Sequence, residues 1–282
     1  MEGQHRVRLI EITDINASEL DVFARATEPQ LREEGLFLAE TAYVIMRALE
    51  AGCEPVSMLV ETDRVEAEAK PVFEAIEDHC GKAVLDSIPV YKAATEIVTQ
   101  ITGHHLVRGL WMLMRRLPEL TVDGFLEGKR RIAVMADVVN PANVGAIFRS
   151  AAALGMDGVL LTHTSVDPLT RRVARVSMGT VFQIPWARAT LEESQGTALI
   201  SRLQSYGYKT VAMALTEDST NVDNDEIRAN EKLAVVLGTE GTGLPSDVIS
   251  ACDYRVMIPM QRGVDSLNVA AASAISFWEL MK

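Results

Sequence analysis

The sequence is poor in cysteine and aromatic residues and has no long apolar run. Aromatic side chains make up 5% of its 282 residues, and its three cysteines are Cys53, Cys80 and Cys252. The cysteines are isolated, and no two have the spacing of a zinc knuckle or a redox pair. We therefore expect no metal site, and three reduced thiols in a cytoplasmic protein.

Membrane segments are also missing from the sequence. No apolar stretch approaches the ~20 residues that a membrane-spanning helix needs. The first residues, MEGQHRVRLIEI, lack the apolar core of a secretory signal. We expect a protein that has no membrane partner.

Acidic residues outnumber basic ones, giving a net charge of −12. Residues 1–124 carry 12 Lys+Arg against 22 Asp+Glu, whereas residues 125–282 carry 15 against 17. Such a balance argues against indiscriminate nucleic-acid binding through the global field, because the phosphate backbone is itself negative. A local basic site stays possible, and Arg171, Arg172 and Arg175 form one such cluster.

Apolar runs and chain breakers divide the sequence into two α/β parts. In the first part strands are indicated at 36–40, 56–61, 83–91 and 111–116, with helices over 41–52, 65–80 and near 95–102. Residues 117–130, LPELTVDGFLEGKR, carry a proline, two glycines and several charges, as expected of a linker. These patterns predict a small α/β domain over 1–116, a linker over 117–130 and a larger domain over 131–282.

The larger domain alternates strands and helices more regularly. Strands are predicted at 131–137, 158–162, 182–187, 210–215, 232–238 and 254–260, and helices at 143–154, 168–177, 191–206, 245–251 and 266–281. Apolar strands that alternate with helices indicate a parallel sheet covered on both faces. Ligands of such sheets bind outside the carboxyl ends of the strands, where three conspicuous loops lie here.

The last of these loops leads into an unusual final helix. Residues 256–282, VMIPMQRGVDSLNVAAASAISFWELMK, run from a strand through a turn at Gly263 into a helix that Asp265 or Ser266 could cap. The helix begins with small residues almost exclusively, where a Leu-rich stripe would be usual. Such a surface lets a ligand, another part of the chain or a second subunit come close.

The first loop, NPANVGAIFR, places a single arginine on an apolar helix. Pro141 and Asn143 suit a helix start, and Gly145 leaves room in the first turn. Arg149 follows among alanines and large apolar residues, and a charge in such surroundings needs partners. Either it forms a structural ion pair with an acidic residue, or it has a functional role.

The second loop, GTEGTGLP, is rich in glycine. Gly238, Gly241 and Gly243 follow a buried strand, which is typical of a backbone that bends sharply around a ligand. The spacing is neither that of a dinucleotide fingerprint nor that of a P-loop. Glu240 would repel a diphosphate, so the loop favours a neutral or cationic ligand.

Together the three loops resemble the motifs of the SpoU (TrmH-type) RNA 2'-O-methyltransferases of the SPOUT class. The matching segments are NPANVGAIFRSAAALG with Asn143, Gly145 and Arg149, LGTEGTGLP at 237–245, and IPM at 258–260 followed by SLNVAAASA at 266–274. RVSMGTVFQIP at 175–185 resembles a further segment of the family, with Thr180 in place of its alanine. The resemblance covers residues 130–282, and residues 1–115 more loosely resemble the ribosomal-protein-like substrate-binding domain of many members.

The resemblance implies a trefoil-knotted α/β domain and S-adenosylmethionine as cofactor. Such a knot would be a rare exception to the rule that chains do not thread loops. In the family the cofactor is held largely by backbone groups, which suits small residues and a cationic sulfonium beside Glu240. The cofactor-binding positions implied here are Leu237, Gly238, Gly241, Ile258, Met260, Ser266, Leu267 and Asn268.

The implied reaction is transfer of the cofactor's methyl group to a ribose 2'-hydroxyl of rRNA or tRNA. Arg149 matches the family's catalytic arginine, and Asn143 and Glu240 are implied to complete the catalytic site. A guanidinium keeps its proton, so we interpret Arg149 as gripping a phosphate and stabilising the developing alkoxide. Family members act as homodimers; the small-residue final helix fits a dimer interface, with apolar area from Phe277, Trp278 and Leu280, or burial within one subunit.

Other RNA contacts have plain structural alternatives. Arg171, Arg172 and Arg175 could bind phosphate or form a solvated helix face. His104 and His105 with Arg108 could contact RNA or be solvated loop residues. Trp111 is expected in the core and not as a stacking platform.

Two competing functions are a non-catalytic RNA-binding relative of the same fold and a dinucleotide-dependent oxidoreductase. The first is expected to lose Arg149, Asn143 or the Ser-Leu-Asn step, all of which this chain retains. The second requires a GxGxxG unit followed by an acidic residue about 20 positions on, which the sequence lacks.

Overall fold

The computed structural model describes residues 7–103 and 109–282. The hypothesis of an RNA contact by His104, His105 and Arg108 therefore lies outside the described residues. The described chain forms two compact units, one of residues up to Pro118 together with Leu169–Phe182, the other of Glu119–Pro168 with Gln183–Lys282. The predicted domain division differs in that residues 169–182 group with the first unit.

Twelve strands are present in the described residues. In chain order they are β1 Arg8–Glu11, β2 Leu36–Glu40, β3 Pro55–Glu61, β4 Pro89–Ala93, β5 Leu110–Arg115, β6 Arg131–Met135, β7 Gly158–Leu161, β8 Trp186–Arg188, β9 Lys209–Met213, β10 Thr220–Asn221, β11 Leu233–Leu237 and β12 Tyr254–Met257.

The α-helices of the same residues are numbered in the same way. They are α1 Asp21–Ala24, α2 Glu28–Glu33, α3 Ala42–Glu50, α4 Lys70–Cys80, α5 Lys82–Ser87, α6 Thr95–Thr102, α7 Val122–Leu126, α8 Pro141–Ala153, α9 Arg171–Val176, α10 Ala198–Ser205, α11 Asp225–Arg228, α12 Ser246–Ala251 and α13 Val269–Leu280.

The first unit is built on a five-stranded sheet of order β1-β4-β3-β5-β2. Its first three strands are parallel, and β5 pairs antiparallel with β3 and β2. Trp111 is 1% exposed in the core, as expected. The segment 169–182 packs here through a ring contact between Phe182 and Phe37. Gly179 admits Arg47 there, since an added Cβ would lie 3.0 Å from that side chain.

The second unit confirms the predicted α/β fold with a parallel sheet. Its seven strands, in the order β10-β12-β9-β11-β6-β7-β8, are all parallel. Ile132, Val134 and Val236 pack with residues of α7, α10 and α12 on one face. Alternate residues of a strand point to opposite faces, and α8 and α13 pack together on the other. The trefoil knot stays a prediction.

The final helix packs closely because its polar side chains are satisfied locally. Ser273 and Ser276 are fully buried, and their hydroxyls donate to the carbonyls of Ala270 and Ala272 in the preceding turn. Apart from Val269, the other residues of its first turns are alanines, so the helix can lie close to α8 without leaving a buried hydroxyl unpaired. Phe277 and Leu280 are buried within this unit, and the expectation that they supply interface area to a second subunit is wrong.

Several predicted element bounds were wrong for local reasons. Residues 83–87 are helical in α5, so the predicted strand 83–91 is reduced to β4. The strand expected at 182–187 is only β8, because Thr180–Phe182 forms a 3-10 turn. Helix α13 is capped by Asn268, whose side chain accepts from the Ala270 amide, and not by Asp265 or Ser266.

The segment predicted as a linker contains structure of its own. Helix α7 lies within it, capped by the Thr121 side chain, and Phe125 is fully buried. Gly158 makes room for that ring, because an added Cβ would lie 2.5 Å from it. Apolar residues spaced along LTVDGFLEG therefore anchor this stretch to the second sheet.

A partly buried aspartate ties the start of β12 to β9. Asp253 accepts hydrogen bonds from the Lys209 ammonium at 2.8 Å and from the Thr210 amide at 3.0 Å. Burial raises the pKa of Asp253, but these bonds outweigh it and lower the pKa to about 2. The carboxylate therefore stabilises the fold above its ordinary pKa of about 3.9, and this contribution is lost as the pH falls towards 2.

The three cysteines are free, as expected of reduced thiols. Burial raises the pKa of Cys53 and of Cys252 to about 11, so neither is a reactive thiolate at neutral pH. None of the described helices combines the length and apolarity needed to cross a bilayer.

Candidate functional site

Three strands of the second sheet end beside one cavity. Loops after β9, β11 and β12 and the first turn of α13 enclose a volume of about 410 Å³, within the range of small-molecule sites. All eight residues proposed from the sequence to hold a cofactor line it, together with Glu240; they are Leu237, Gly238, Gly241, Ile258, Met260, Ser266, Leu267 and Asn268. The parallel arrangement explains this convergence, since carboxyl ends of parallel strands share one edge of the sheet.

The glycine-rich loop folds back on itself to form one wall. A Cβ on Gly238 would lie 2.6 Å from the carbonyl carbon of Gly243 and the amide nitrogen of Leu244, so no larger residue fits without moving backbone. The Gly243 amide donates to the Thr239 carbonyl at 3.1 Å. Gly241, with φ +87°, permits the turn between them. This geometry presents backbone as well as side chains to the cavity.

The opposite wall comes from the segment between β12 and α13. The chain turns at Arg262 and Gly263, which have φ of +60° and +72°. Asp265, Ser266 and Leu267 then line the cavity before Asn268 caps the helix. Two acidic residues, Glu240 and Asp265, are thus among the lining residues, and their negative charge suits a cationic ligand.

A hydrogen-bonded chain of three side chains joins the three sequence motifs. The buried Asn143 amide donates to the Glu240 carboxylate, and the Asn268 amide donates to the Asn143 oxygen at 3.1 Å. The Asn268 oxygen in turn caps α13. Asn143 and Asn268, 125 positions apart in sequence, are therefore held together. Both the amide nitrogen and the oxygen of the Asn143 side chain are hydrogen-bonded.

Arg149 is exposed on α8 and is not among the residues that line the cavity. The helix begins with Asn140 as its cap and Pro141 as its first residue. Arg149 is six positions after Asn143, which places it about 9 Å further along the helix and on a different face. The structural ion-pair alternative does not apply, because within residues 7–103 and 109–282 no acidic partner meets Arg149. Its guanidinium is available to an external group.

The predicted RNA-binding arginines lie in the first unit, and two of the three are paired there. Arg171 donates to Glu28 at 3.1 Å and lies over the Trp111 ring at 4.5 Å. Arg175 donates at 2.9 Å to Glu40, whose side chain is 3% exposed. Arg172 is exposed, with no ion-pair partner in the described part of the chain. The structure therefore does not present the three as one free cationic cluster.

Ten further lining residues were not among the site residues proposed from the sequence. They are Met213, Ala214, Leu215, Thr239, Gly243, Val256, Met257, Asp265, Val269 and Ala272. Six of the ten lie at or just beyond the carboxyl ends of β9, β11 and β12, as expected of ligand sites in parallel sheets. Met213–Leu215 carries no motif, and only the position of β9 beside β11 and β12 brings it to the site.

Comparison with known proteins decides the family. The SpoU rRNA Methylase family profile matches residues 130–278, which contain the three loops and the cavity. The chain belongs to the SpoU rRNA Methylase family. It is therefore a methyltransferase of that family, as the motif resemblance predicted.

Relatives extend the similarity beyond the family segment. An uncharacterized tRNA/rRNA methyltransferase of Mycobacterium bovis is 37% identical over 248 residues, covering 87% of this chain and 81% of the relative. A crystal structure titled AdoMet bound rRNA methyltransferase from Sinorhizobium meliloti has a TM-score of 0.77 at 23% identity, with 97% of each chain covered. A structure titled RNA 2'-O ribose methyltransferase has a TM-score of 0.74 at 25% identity, covering 96% of this chain and 98% of that one.

The junction of the family motifs can be tested by removing its central amide. We predict that Asn143→Ala lowers the free energy of unfolding by about 1–3 kcal/mol, because Glu240 and Asn268 lose a partly buried partner. Urea unfolding would measure this. Asn221→Ala, at an exposed position of β10, is the matched control and should change stability by less than about 0.5 kcal/mol. Equal behaviour of the two variants would show that the chain of bonds does not hold the loops.

Proposed function

We propose that this protein transfers a methyl group from S-adenosylmethionine to a ribose 2'-hydroxyl of RNA. The observation that carries the proposal is that the second and third family motifs line one cavity, while the first motif is bonded to both through Asn143, which contacts Glu240 and Asn268. The structural relative titled RNA 2'-O ribose methyltransferase supports the ribose as acceptor. The name of the mycobacterial relative covers both tRNA and rRNA and does not choose between them.

The chemistry of the cavity fits the cofactor. When bound, S-adenosylmethionine supplies a methyl group activated by attachment to a positively charged sulfur. Leu237, Ile258 and Leu267 offer apolar contact for an adenine ring, and the carboxylates of Glu240 and Asp265 suit a cationic ligand. The tight turn at Gly238 lets backbone approach where a side chain would otherwise stand. These are the residues that hold the cofactor in our proposal.

Arg149, Asn143 and Glu240 form the catalytic group in this proposal. A protonated guanidinium can bind the phosphate next to the reacting ribose and stabilise negative charge that develops on the 2'-oxygen. Asn143 orients the Glu240 carboxylate through its amide. Because the leaving group is already activated, positioning of the hydroxyl and exclusion of water supply much of the remaining rate enhancement.

The direct test measures both cofactor binding and methyl transfer to RNA with the purified protein. Purified protein should bind S-adenosylmethionine in calorimetry and should add 2'-O-methyl groups to total RNA at positions that mapping by resistance to alkaline hydrolysis identifies. Binding of cofactor without any methylated ribose would point to the alternative of a non-catalytic RNA-binding relative. A base-methylated product would overturn the assignment of the ribose.

Arg149 provides the sharpest mutational prediction. Arg149→Ala should lower methyl transfer by about 100-fold or more, since it removes a charge that acts on the transition state. The affinity of this variant for S-adenosylmethionine should stay within about threefold of that of the unmodified protein, because Arg149 does not line the cavity. Arg149→Lys is the control for charge without the planar fork. If cofactor affinity and turnover fell equally, Arg149 would be structural.

The first unit, and with it the domain predicted over residues 1–116, is proposed to help bind RNA. Of its three candidate arginines, Arg172 is the one whose guanidinium is not engaged by an acidic side chain of the described residues. Pairing of Arg171 with Glu28 and of Arg175 with Glu40 favours a structural role for those two. The acidic surroundings make this a local contact and not a broad electrostatic surface.

A salt titration separates the arginines. Arg172→Ala should weaken RNA binding and reduce the slope of log K against log salt by about one, because one phosphate contact is lost. Arg8→Ala, at another exposed arginine of the first unit, is the matched charge control and should leave the slope unchanged. An unchanged slope for Arg172→Ala would remove Arg172 from the RNA-binding surface.

We also propose a homodimer built on the exposed face of α13. Ala271, Ile275 and Trp278 recur at helical spacing and share this face, with Trp278 59% exposed and Ile275 37% exposed. An exposed tryptophan beside an isoleucine is the composition of an interface anchor. The neighbouring helix α8 carries Arg149, which would place the dimer surface near a catalytic group.

The dimer prediction is tested by replacing an apolar side chain of this face with a charged one. Trp278→Glu should shift the protein from dimer to monomer in analytical ultracentrifugation, because it buries a carboxylate against apolar surface. Leu191→Glu, at a 58% exposed apolar residue elsewhere in the second unit, should leave the dimer intact. A monomeric unmodified protein, or a dimeric Trp278→Glu variant, would overturn the proposed interface.

A further inference from the structure

Arg188, at the end of β8, is a buried arginine whose guanidinium binds backbone carbonyls. It is 9% exposed, and its Nη1 donates to the carbonyls of Thr162, His163 and Ser165 at 3.2, 3.1 and 2.6 Å. Its Nη2 donates to the Val166 carbonyl at 3.2 Å. Four carbonyls of one loop thus converge on a single side chain. A planar fork of donors suits this arrangement, which a neutral residue could not satisfy.

The loop that Arg188 holds, residues 162–166, is in turn bonded to the end of β6. The Thr162 amide donates to the Met135 carbonyl at 3.0 Å, and the Val166 amide donates to the Val138 carbonyl at 3.1 Å. The Ser165 hydroxyl donates to the Met135 carbonyl at 3.0 Å and accepts from the Val138 amide at 3.2 Å. The loop and the segment after β6 therefore form one hydrogen-bonded layer, in which Thr162 and Ser165 are buried.

Asp137 in this layer has an unusual backbone. Its φ is +55°, which costs energy for a residue other than glycine and persists only where surrounding bonds impose it. Its amide donates to the Thr162 hydroxyl at 2.9 Å, and its carboxylate accepts from Thr162 at 2.8 Å and also from Thr164. Three residues later Asn140 caps α8. The direction in which α8 starts is thus set by the loop that Arg188 holds.

Helix α8 carries the two groups that the proposed reaction needs from the first motif. Asn143, in its first turn, meets Glu240 and Asn268, and Arg149 follows six positions later on a different face of the helix. We propose that Arg188 is a positioning residue, which sets the placement of Asn143 and Arg149 by fixing residues 162–166 against 135–138. This inference rests on the proposed function, because it assigns Arg188 to the same methyl transfer.

The place of Arg188 in the fold separates a positioning role from a role in overall stability. None of residues 135–138, 162–166 or Arg188 lines the cofactor cavity, which is built at the ends of β9, β11 and β12. Loss of the guanidinium should therefore act first on α8, and on the cofactor walls only indirectly, through the bonds of Asn143. The expected signature is a fall in kcat with little change in cofactor affinity, since small displacements of catalytic groups are costly to rate.

The experiment compares Arg188→Met, Arg188→Lys and Thr162→Val with the unmodified full-length chain. Arg188→Met keeps the length of the side chain and removes its donors. Arg188→Lys restores the charge and part of the hydrogen bonding, and Thr162→Val cuts the contact to Asp137 with little change of shape. Arg202→Met is the matched control, because Arg202 is a half-exposed arginine of the same unit that pairs with Asp123.

Four readouts are taken on each protein: the melting temperature, calorimetric affinity for S-adenosylmethionine, kcat and KM for methyl transfer to RNA, and amide hydrogen exchange. We expect Arg188→Met to lower kcat by about tenfold or more, with cofactor affinity within about threefold. Exchange should rise in peptides covering 135–138 and 162–166. Arg188→Lys should recover part of the kcat that Arg188→Met loses. Thr162→Val should lower kcat, as Arg188→Met does, and Arg202→Met should change neither kcat nor amide exchange.

The outcomes separate this inference from the function on which it rests. Absence of methyl transfer by the unmodified protein would overturn the proposed function itself. An active unmodified protein with unchanged kcat in Arg188→Met would overturn the positioning role alone. Equal falls in kcat, cofactor affinity and melting temperature would likewise overturn it, because they would show a purely structural residue. If Arg188→Met fails to fold, Thr162→Val decides by the same criteria.

Discussion

The candidate site depends on the parallel arrangement of the second sheet. When all strands run in one direction, every connecting loop at the carboxyl edge meets the others there, and no single loop has to form a site by itself. The bonds of Asn143 to Glu240 and Asn268 use this constraint, since they join loops that follow β6, β11 and β12. A change in the order or direction of any of these strands would separate residues that are far apart in sequence.

Small residues allow the parts of this edge to approach one another. Gly238 leaves no room for a Cβ, and α13, which packs on α8, is rich in alanine and in buried serines whose hydroxyls bond within the helix. Close packing of this kind leaves the cavity walled by backbone and short side chains. The larger residues of the final helix differ in burial, because Phe277 lies in the core and Trp278 is exposed to solvent.

Charge is used locally in this acidic chain. Arg171 and Arg175 are engaged by glutamates of the first unit, and Arg188 is surrounded by carbonyls. In the described residues Arg149 and Arg172 stand apart from these, because neither meets an acidic side chain. An overall negative protein can therefore still offer single, well-placed cations to a phosphate backbone, without a broad positive field that would attract any nucleic acid.

The sequence by itself determined the class of fold, the family and the residues of the three loops, because motif order and strand periodicity are local properties of a chain. It missed α5, the buried α7 and the cap by Asn268, where neighbouring residues and tertiary packing override local signals. Only the tertiary structure decided that two arginines of the basic cluster are paired, that Met213–Leu215 joins the cavity, and that Arg188 holds the loop after β7. Those outcomes depend on contacts between residues distant in sequence, which no local pattern records.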